Sequence, residues 1–194
     1  IIKNMLYMVE LNPVNAKVCK KIFKMIEPEV EPNIYNSPFY TDKESNLTEK
    51  WKSKCSIKTF DVIMGNPPYN QGGIKSFKGT TDGEKPKTIW PLFVTESFKI
   101  LKKNGFLLFI NPLSWLRVSH NVHKMLIEKH IIWLKLWDDS MSKAKIQADI
   151  PLSLFVLQNK DNLSKNKTTI ISEMARQGIN TEANVYLNPG ESIP

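Results

Sequence analysis

Asn66, Pro67, Pro68 and Tyr69 combine the functional groups in this chain best suited to chemistry on a planar nitrogen. They follow a short apolar run, Val62 to Met64, that reads as a buried strand and stops at Gly65. Two consecutive prolines fix φ and remove two backbone donors, so this stretch is a rigid bracket with free carbonyls. Gly65 allows a sharp turn or a close approach of the backbone to a ligand. Asn66 contributes a side-chain carbonyl, Pro67 a backbone carbonyl and Tyr69 a flat ring. Together they can accept both hydrogens of an exocyclic amine while stacking on the ring that bears it. A rigid bracket at the carboxyl end of a strand stands where open α/β sheets bind ligands.

Alternating helices and apolar strands must position this bracket, which predicts an α/β fold with a mainly parallel sheet. Asn4 to Glu10 reads as a strand ending in an acid. Pro13 and Asn15 open a helix with Val14, Val18, Ile22, Phe23 and Ile26 at helical spacing, closed by Pro28 and Pro32. Asn33 to Tyr35 is a short strand, and residues 41–58 a polar loop with a little helix near 48–53. Residues 70–87 form a long polar loop. From Pro91 a helical pattern runs through Leu92, Phe93 and Phe98 to Lys102-Lys103-Asn104-Gly105, with Gly105 as the stop. Phe106–Ile110 is an apolar strand, followed by a helix around 119–129, a strand Ile131–Trp137, a connecting loop and a strand Leu152–Gln158.

Asn66-Pro67-Pro68-Tyr69 after an apolar strand resembles the signature of S-adenosylmethionine-dependent methyltransferases that act on planar amide or amine nitrogens. The longer pattern is similar to N6-adenine DNA methyltransferases of restriction-modification type. The stretch Trp90-Pro91-Leu92-Phe93 through Gly105 to Asn111-Pro112 carries the second resemblance: a helix after the catalytic loop, ending Leu-Lys-x-x-Gly, then an apolar strand. The resemblance covers about residues 1–158 as a Rossmann-like catalytic core, and residues 159–194 then begin a target-recognition region. It implies S-adenosylmethionine as cofactor and double-stranded DNA as partner. It assigns Asn66, Pro67, Pro68 and Tyr69 to catalysis, with Glu10, Asn66, Leu92 and Phe93 at the cofactor. Glu10 suits both ribose hydroxyls, as acids at strand ends of nucleotide-binding folds do; a solvated strand-end acid is the alternative. Leu92 and Phe93 would line the adenine pocket, or simply pack as the apolar side of a helix. Lys75, Lys78, Lys85 and Lys87 could meet phosphates, or belong to a solvated loop.

Two features of that family are not where the pattern puts them. No Gly-x-Gly occurs in the chain; the glycine-rich cofactor loop would precede Ile1, so the chain reads as cut from a longer protein. Where the family has an acid after its third strand, Ser37 stands here, with Asp42 further on. Two alternatives stay open: a methyltransferase acting on release-factor glutamine or ribosomal RNA, and a DNA-binding remnant without catalysis.

A length of 194 residues suits one domain. The formal charge of +8 permits a polyanionic partner. Of the 27 basic residues only Arg117 and Arg176 are arginines, a lysine-rich bias that an AT-rich genome also produces. Cys19, which falls among core-like positions, and Cys55 form neither a zinc site nor a disulfide framework. His120, His123 and His130 read as a solvated helix face, so no metal is expected. No stretch is apolar enough to span a membrane and no cleavable signal opens the chain, which predicts a cytoplasmic or nucleoid-associated protein.

Overall fold

Apolar alternation dictates most of what is seen. The computed structural model describes residues 2–41, 46–47, 52–70, 87–163 and 166–187. The chain divides into two compact units, Ile1–Lys58 and Thr59–Pro194.

The first unit opens with a single helical turn, α1 (Ile2–Met5), then β1 (Tyr7–Glu10), where the sequence pattern suggested one continuous strand. Helix α2 (Pro13–Ile26) starts where Asn12 accepts from Val14 and Asn15 backbone N–H groups, satisfying donors that a helix start leaves free. It ends before Pro28. β2 (Asn33–Asn36) pairs with β1 in parallel, and two short strands, β3 (Tyr40–Thr41) and β4 (Asn46–Leu47), pair antiparallel. Only Ala16 of α2 is buried; Val14, Val18, Ile22 and Ile26 are exposed. Cys19 is half-buried.

The second unit is a six-stranded sheet in the order β10-β9-β7-β8-β6-β5. Its strands are β5 (Phe60–Gly65), β6 (Leu101–Pro112), β7 (Lys129–Trp137), β8 (Leu152–Asp161), β9 (Lys167–Met174) and β10 (Ile179–Tyr186). β5 with β6 and β7 with β9 are parallel pairs; β8 lies antiparallel between β6 and β7, and β10 runs against β9. Four strands thus share one direction within a mixed sheet. Their carboxyl ends, those of β5, β6, β7 and β9, fall on one edge. The stretch beyond residue 158 continues the sheet as β9 and β10.

Helices α3 (Trp90–Ile100) and α4 (His123–Ile127) contribute Trp90, Val94, Leu126 and Ile127 to a core with Leu107, Phe109, Trp115 and Phe155. Residues 138–151, read from sequence as a plain loop, contain α5 (Asp139–Ile146). Asp138 caps it by accepting from the Met141 N–H, and Lys143 and Lys145 sit in the last turn, where cations suit the helix dipole. Of the helix expected near 119–129, regular helix covers only His123–Ile127, with turns before it.

Leu108, Ile110, Trp133, Leu154 and Val156 line the other side of the sheet with Met64, around a shallow apolar depression of about 330 Å³. Met64 there is 72% exposed. Among the described residues no helix is long and apolar enough to cross a membrane.

Candidate functional site

The bracket emerges from a strand whose other end is fixed by close packing. α3 stops at Ile100, and the left-handed residue after it is Asn104 (φ 63), not Gly105. Gly105 is needed for a different reason. A Cβ there would lie 2.9 Å from the Asp61 carbonyl oxygen and 3.0 Å from that of Lys102, closer than real Cβ atoms come to backbone. So β5 and β6 approach one another through a glycine. The Lys102 ammonium also pairs with Asp61 Oδ1 and Oδ2, both at 2.9 Å.

At the far end Gly65 remains in register, opposite Phe109, as the last strand residue. Its φ is not left-handed, so the chain does not make the expected sharp turn at Gly65; it runs on through the prolines and bends at Tyr69. Asn66 and Pro68 are exposed, Pro67 is buried and Tyr69 half-buried against the core cluster. The Tyr69 hydroxyl donates to Asn66 Oδ1 at 3.0 Å. The Tyr69 carbonyl accepts from the Ile89 N–H at 3.0 Å, and Asn70 bridges Thr88 antiparallel. These contacts close the two ends of the 71–86 segment, which lies outside the described residues along with Lys75, Lys78 and Lys85. Lys87 is exposed. Burial pushes the Tyr69 phenol up to about 12, so its proton stays in place at neutral pH.

Helix α3 begins at Trp90, which is buried and stacked on His120, with centroids 5.1 Å apart and planes at 19°. Leu92 and Phe93, in its first turn, are half-buried, and Phe93 packs against the core. Neither is sealed inside, so each keeps surface for a ligand.

In the first unit Glu10 ends β1. Its Oε1 accepts from the Asn12 N–H at 2.7 Å, while Oε2 makes no hydrogen bond among the described residues. The strand end is fastened through its main chain. Asn36 Nδ2 donates to the Glu10 and Leu11 carbonyls, both at 2.9 Å, and the Ser37 N–H donates to the Glu10 carbonyl at 3.2 Å. Ser37 stands at the acid's place; its hydroxyl donates to the Pro38 carbonyl at 3.0 Å, and its burial leaves its oxygen little access to a ligand. Asp42 lies outside the described residues.

The histidines differ from the expected solvated face. His123 is buried, its Nδ1 3.0 Å from the Trp115 carbonyl. Trp115 Nε1 donates to Ser153 Oγ at 2.7 Å, and Ser153 Oγ to the Asn111 carbonyl at 3.3 Å. Burial holds the His120 imidazole below its ordinary value, with His123 and Arg117 adding to the effect. Sequence reasoning missed this network because His, Asn and Ser read as surface types. The available signal was Asn111's place in the inward alternation of Leu107 and Phe109.

A parallel strand pair ending in an acid in the first unit, and in the second a mixed sheet with a proline bracket at its carboxyl edge, are those of a Rossmann-like methyltransferase fold. Known structures share it. The methyltransferase subunit of a type I restriction-modification system from Streptococcus thermophilus superposes with a TM-score of 0.56 at 18% identity, over 87% of this chain and 36% of its own. The type IIL restriction-modification enzyme MmeI, solved in complex with DNA, gives 0.59 at 13% identity, over 95% of this chain and 29% of that one. An uncharacterised adenine-specific methylase of Mycoplasma pneumoniae is 29% identical over 140 residues, which is 68% of this chain and 31% of the relative. Residues 4–141 match the pattern of the Eco57I restriction-modification methylases, and the chain belongs to that family. It spans about a third of the length of these relatives.

Proposed function

We propose that the protein containing this chain transfers a methyl group from S-adenosylmethionine to N6 of adenine in double-stranded DNA, within a restriction-modification system of the cytoplasm. The observation that carries this is the bracket: an amide oxygen, a proline carbonyl and an aromatic ring held rigidly beyond β5 in a member of this family.

Adenine N6 is a poor nucleophile because its lone pair is delocalised into the ring. Asn66 Oδ1 and the Pro67 carbonyl each accept one N6 hydrogen, which favours a tetrahedral nitrogen with a localised lone pair and stabilises its developing positive charge. Fixing that nitrogen in place adds the advantage of orientation. The base leaves the duplex to reach the bracket, and Tyr69 stacks on it. When bound, S-adenosylmethionine supplies a methyl group activated by its sulfonium. Glu10 fits this cofactor because one carboxylate oxygen is already fastened to Asn12 and the other is open to a ribose diol. Leu92 and Phe93 form an apolar wall suited to its adenine. The strands after residue 158 lead into the target-recognition region.

Radiolabelled methyl incorporation by the intact protein tests this reading against three substrates: unmethylated duplex DNA, ribosomal RNA and a release-factor peptide. Label appearing in DNA at adenine N6 supports it. Label in the peptide or RNA alone moves the chain to the other substrate classes, and none at all supports a binding remnant.

A further inference from the structure

Asn66 and Tyr69 hold each other. The Tyr69 Oη to Asn66 Oδ1 hydrogen bond, 3.0 Å long, spans two prolines whose φ angles are fixed by their rings. A four-residue segment with a rigid middle and tied ends has little slack, so the amide and the phenol ring move together. Beyond this bond, the exposed Asn66 side chain makes no hydrogen bond among the described residues.

An unheld asparagine amide rotates and exchanges Oδ1 for Nδ2 in the same place. Nδ2 turned toward an incoming amine sets donor against donor. A phenol donates well and accepts poorly, because its lone pair is shared with the ring. Contact with Tyr69 therefore favours the orientation that directs Oδ1 to the hydroxyl. A carbonyl oxygen has two lone pairs, so one remains for a substrate hydrogen.

We infer that the Tyr69 hydroxyl is a positioning group that orients Asn66 Oδ1 for the amine, a role separate from the ring's contact with the base. This rests on the reading of Asn66 as the acceptor given above. The ring face and the acceptor then form a single template, matched to a planar base whose amine lies at one fixed offset from the stacked ring.

The test uses the intact protein with S-adenosylmethionine and unmethylated plasmid DNA. Tyr69→Phe keeps the ring and removes the donor. Its kcat should fall roughly three- to ten-fold, the worth of one hydrogen bond, while KM for DNA and for cofactor stays within about two-fold. A Tyr69→Phe enzyme with wild-type or higher kcat overturns the inference. Trifluorotyrosine at position 69 keeps ring, hydroxyl and fold but makes the phenol far more acidic. Its kcat should decline between neutral and mildly alkaline pH, where the wild-type protein does not; a flat profile overturns the inference independently. Asn66→Ala separates the two readings. An active Asn66→Ala enzyme removes the acceptor role itself, whereas an inactive one beside an unimpaired Tyr69→Phe removes only the hydroxyl's role.

Discussion

The ends of β1 and β5 both carry a candidate functional residue, and they are restrained by different physics. β5 ends against a covered core: Gly65 sits in register with Phe109, two prolines follow, and Tyr69 packs inward. Among the described residues β1 has a single strand neighbour, and it is fastened by amide side chains. Asn36 donates to the carbonyls of Glu10, at the strand's last residue, and Leu11, while Asn33 Nδ2 donates to those of Lys3 and Leu6, before the strand, at 2.7 and 3.1 Å. In the proposed function, covalent restraint and packing stand where the reacting nitrogen would be aligned. In the same reading, hydrogen bonds that water can replace stand where the ribose hydroxyls of the cofactor would be held. On the proposed function the rigid end should govern rate and the polar end affinity, and that contrast can be broken.

The largest effect belongs to the rigid end. Asn66→Ala should lower kcat by on the order of 100-fold or more with DNA affinity nearly kept, because the lost acceptor acts as charge develops. Single-turnover methylation beside filter binding checks this, and equal losses in both would erase the contrast. Gly105→Ala should come next, destabilising by roughly 1–3 kcal/mol because backbone oxygens cannot step aside from a Cβ. Urea unfolding of the intact protein reads it. An unchanged midpoint would mean that β5 and β6 are loosely joined.

At the polar end Glu10→Gln should weaken S-adenosylmethionine binding by about ten-fold while leaving kcat at saturating cofactor close to normal, since a charge-assisted hydrogen bond is exchanged for a neutral one. Calorimetry and steady-state kinetics together decide it. A kcat loss like that of Asn66→Ala would mean both ends serve the chemical step. The smallest effect concerns pH. His120 has a depressed folded pKa, so its neutral form is favoured by the fold. The stabilisation it gives is complete above the unfolded value of about 6.5 and is lost as pH falls through the lower folded value. Protonated histidine quenches a stacked indole, so acid should dim Trp90 with a midpoint below 6.5, the ordinary histidine value. A His120→Gln protein that dims over the same range would assign the change elsewhere.

The bracket, the strand before it (though not its expected burial, since Val62 and Met64 are exposed), the helix from Trp90 and the acid at the end of β1 are legible because each announces itself within a few residues. Helix α5 is not, since Met141, Ala144 and Ile146 make too thin an apolar stripe to outweigh its serines and lysines, although Asp138 is a usable start signal. Gly105 was assigned to the right element junction for the wrong reason: helix termination was read from a local rule, while the constraint comes from Asp61, far away in sequence. The position of β8 could not be read either. An apolar run states that it pairs, not with which neighbour or in which direction. The hydroxyl of Tyr69 has no mark of its own in the sequence, because the ring alone already accounts for an aromatic at that place.

That position of β8 has a consequence for how the chain is made. β8 follows β6 and β7 in sequence but lies between them in space. As the polypeptide leaves the ribosome, Phe106–Ile110 and Ile131–Trp137 emerge with no way to complete the sheet until Leu152 and its successors follow. β6 can already pair with β5, but its other edge and the edges of β7 wait unpaired, and exposed apolar edges are where nascent chains aggregate or recruit chaperones. Slow synthesis across residues 112–151 should lengthen that wait, so codon choice in this stretch would alter the yield of folded protein without changing an amino acid.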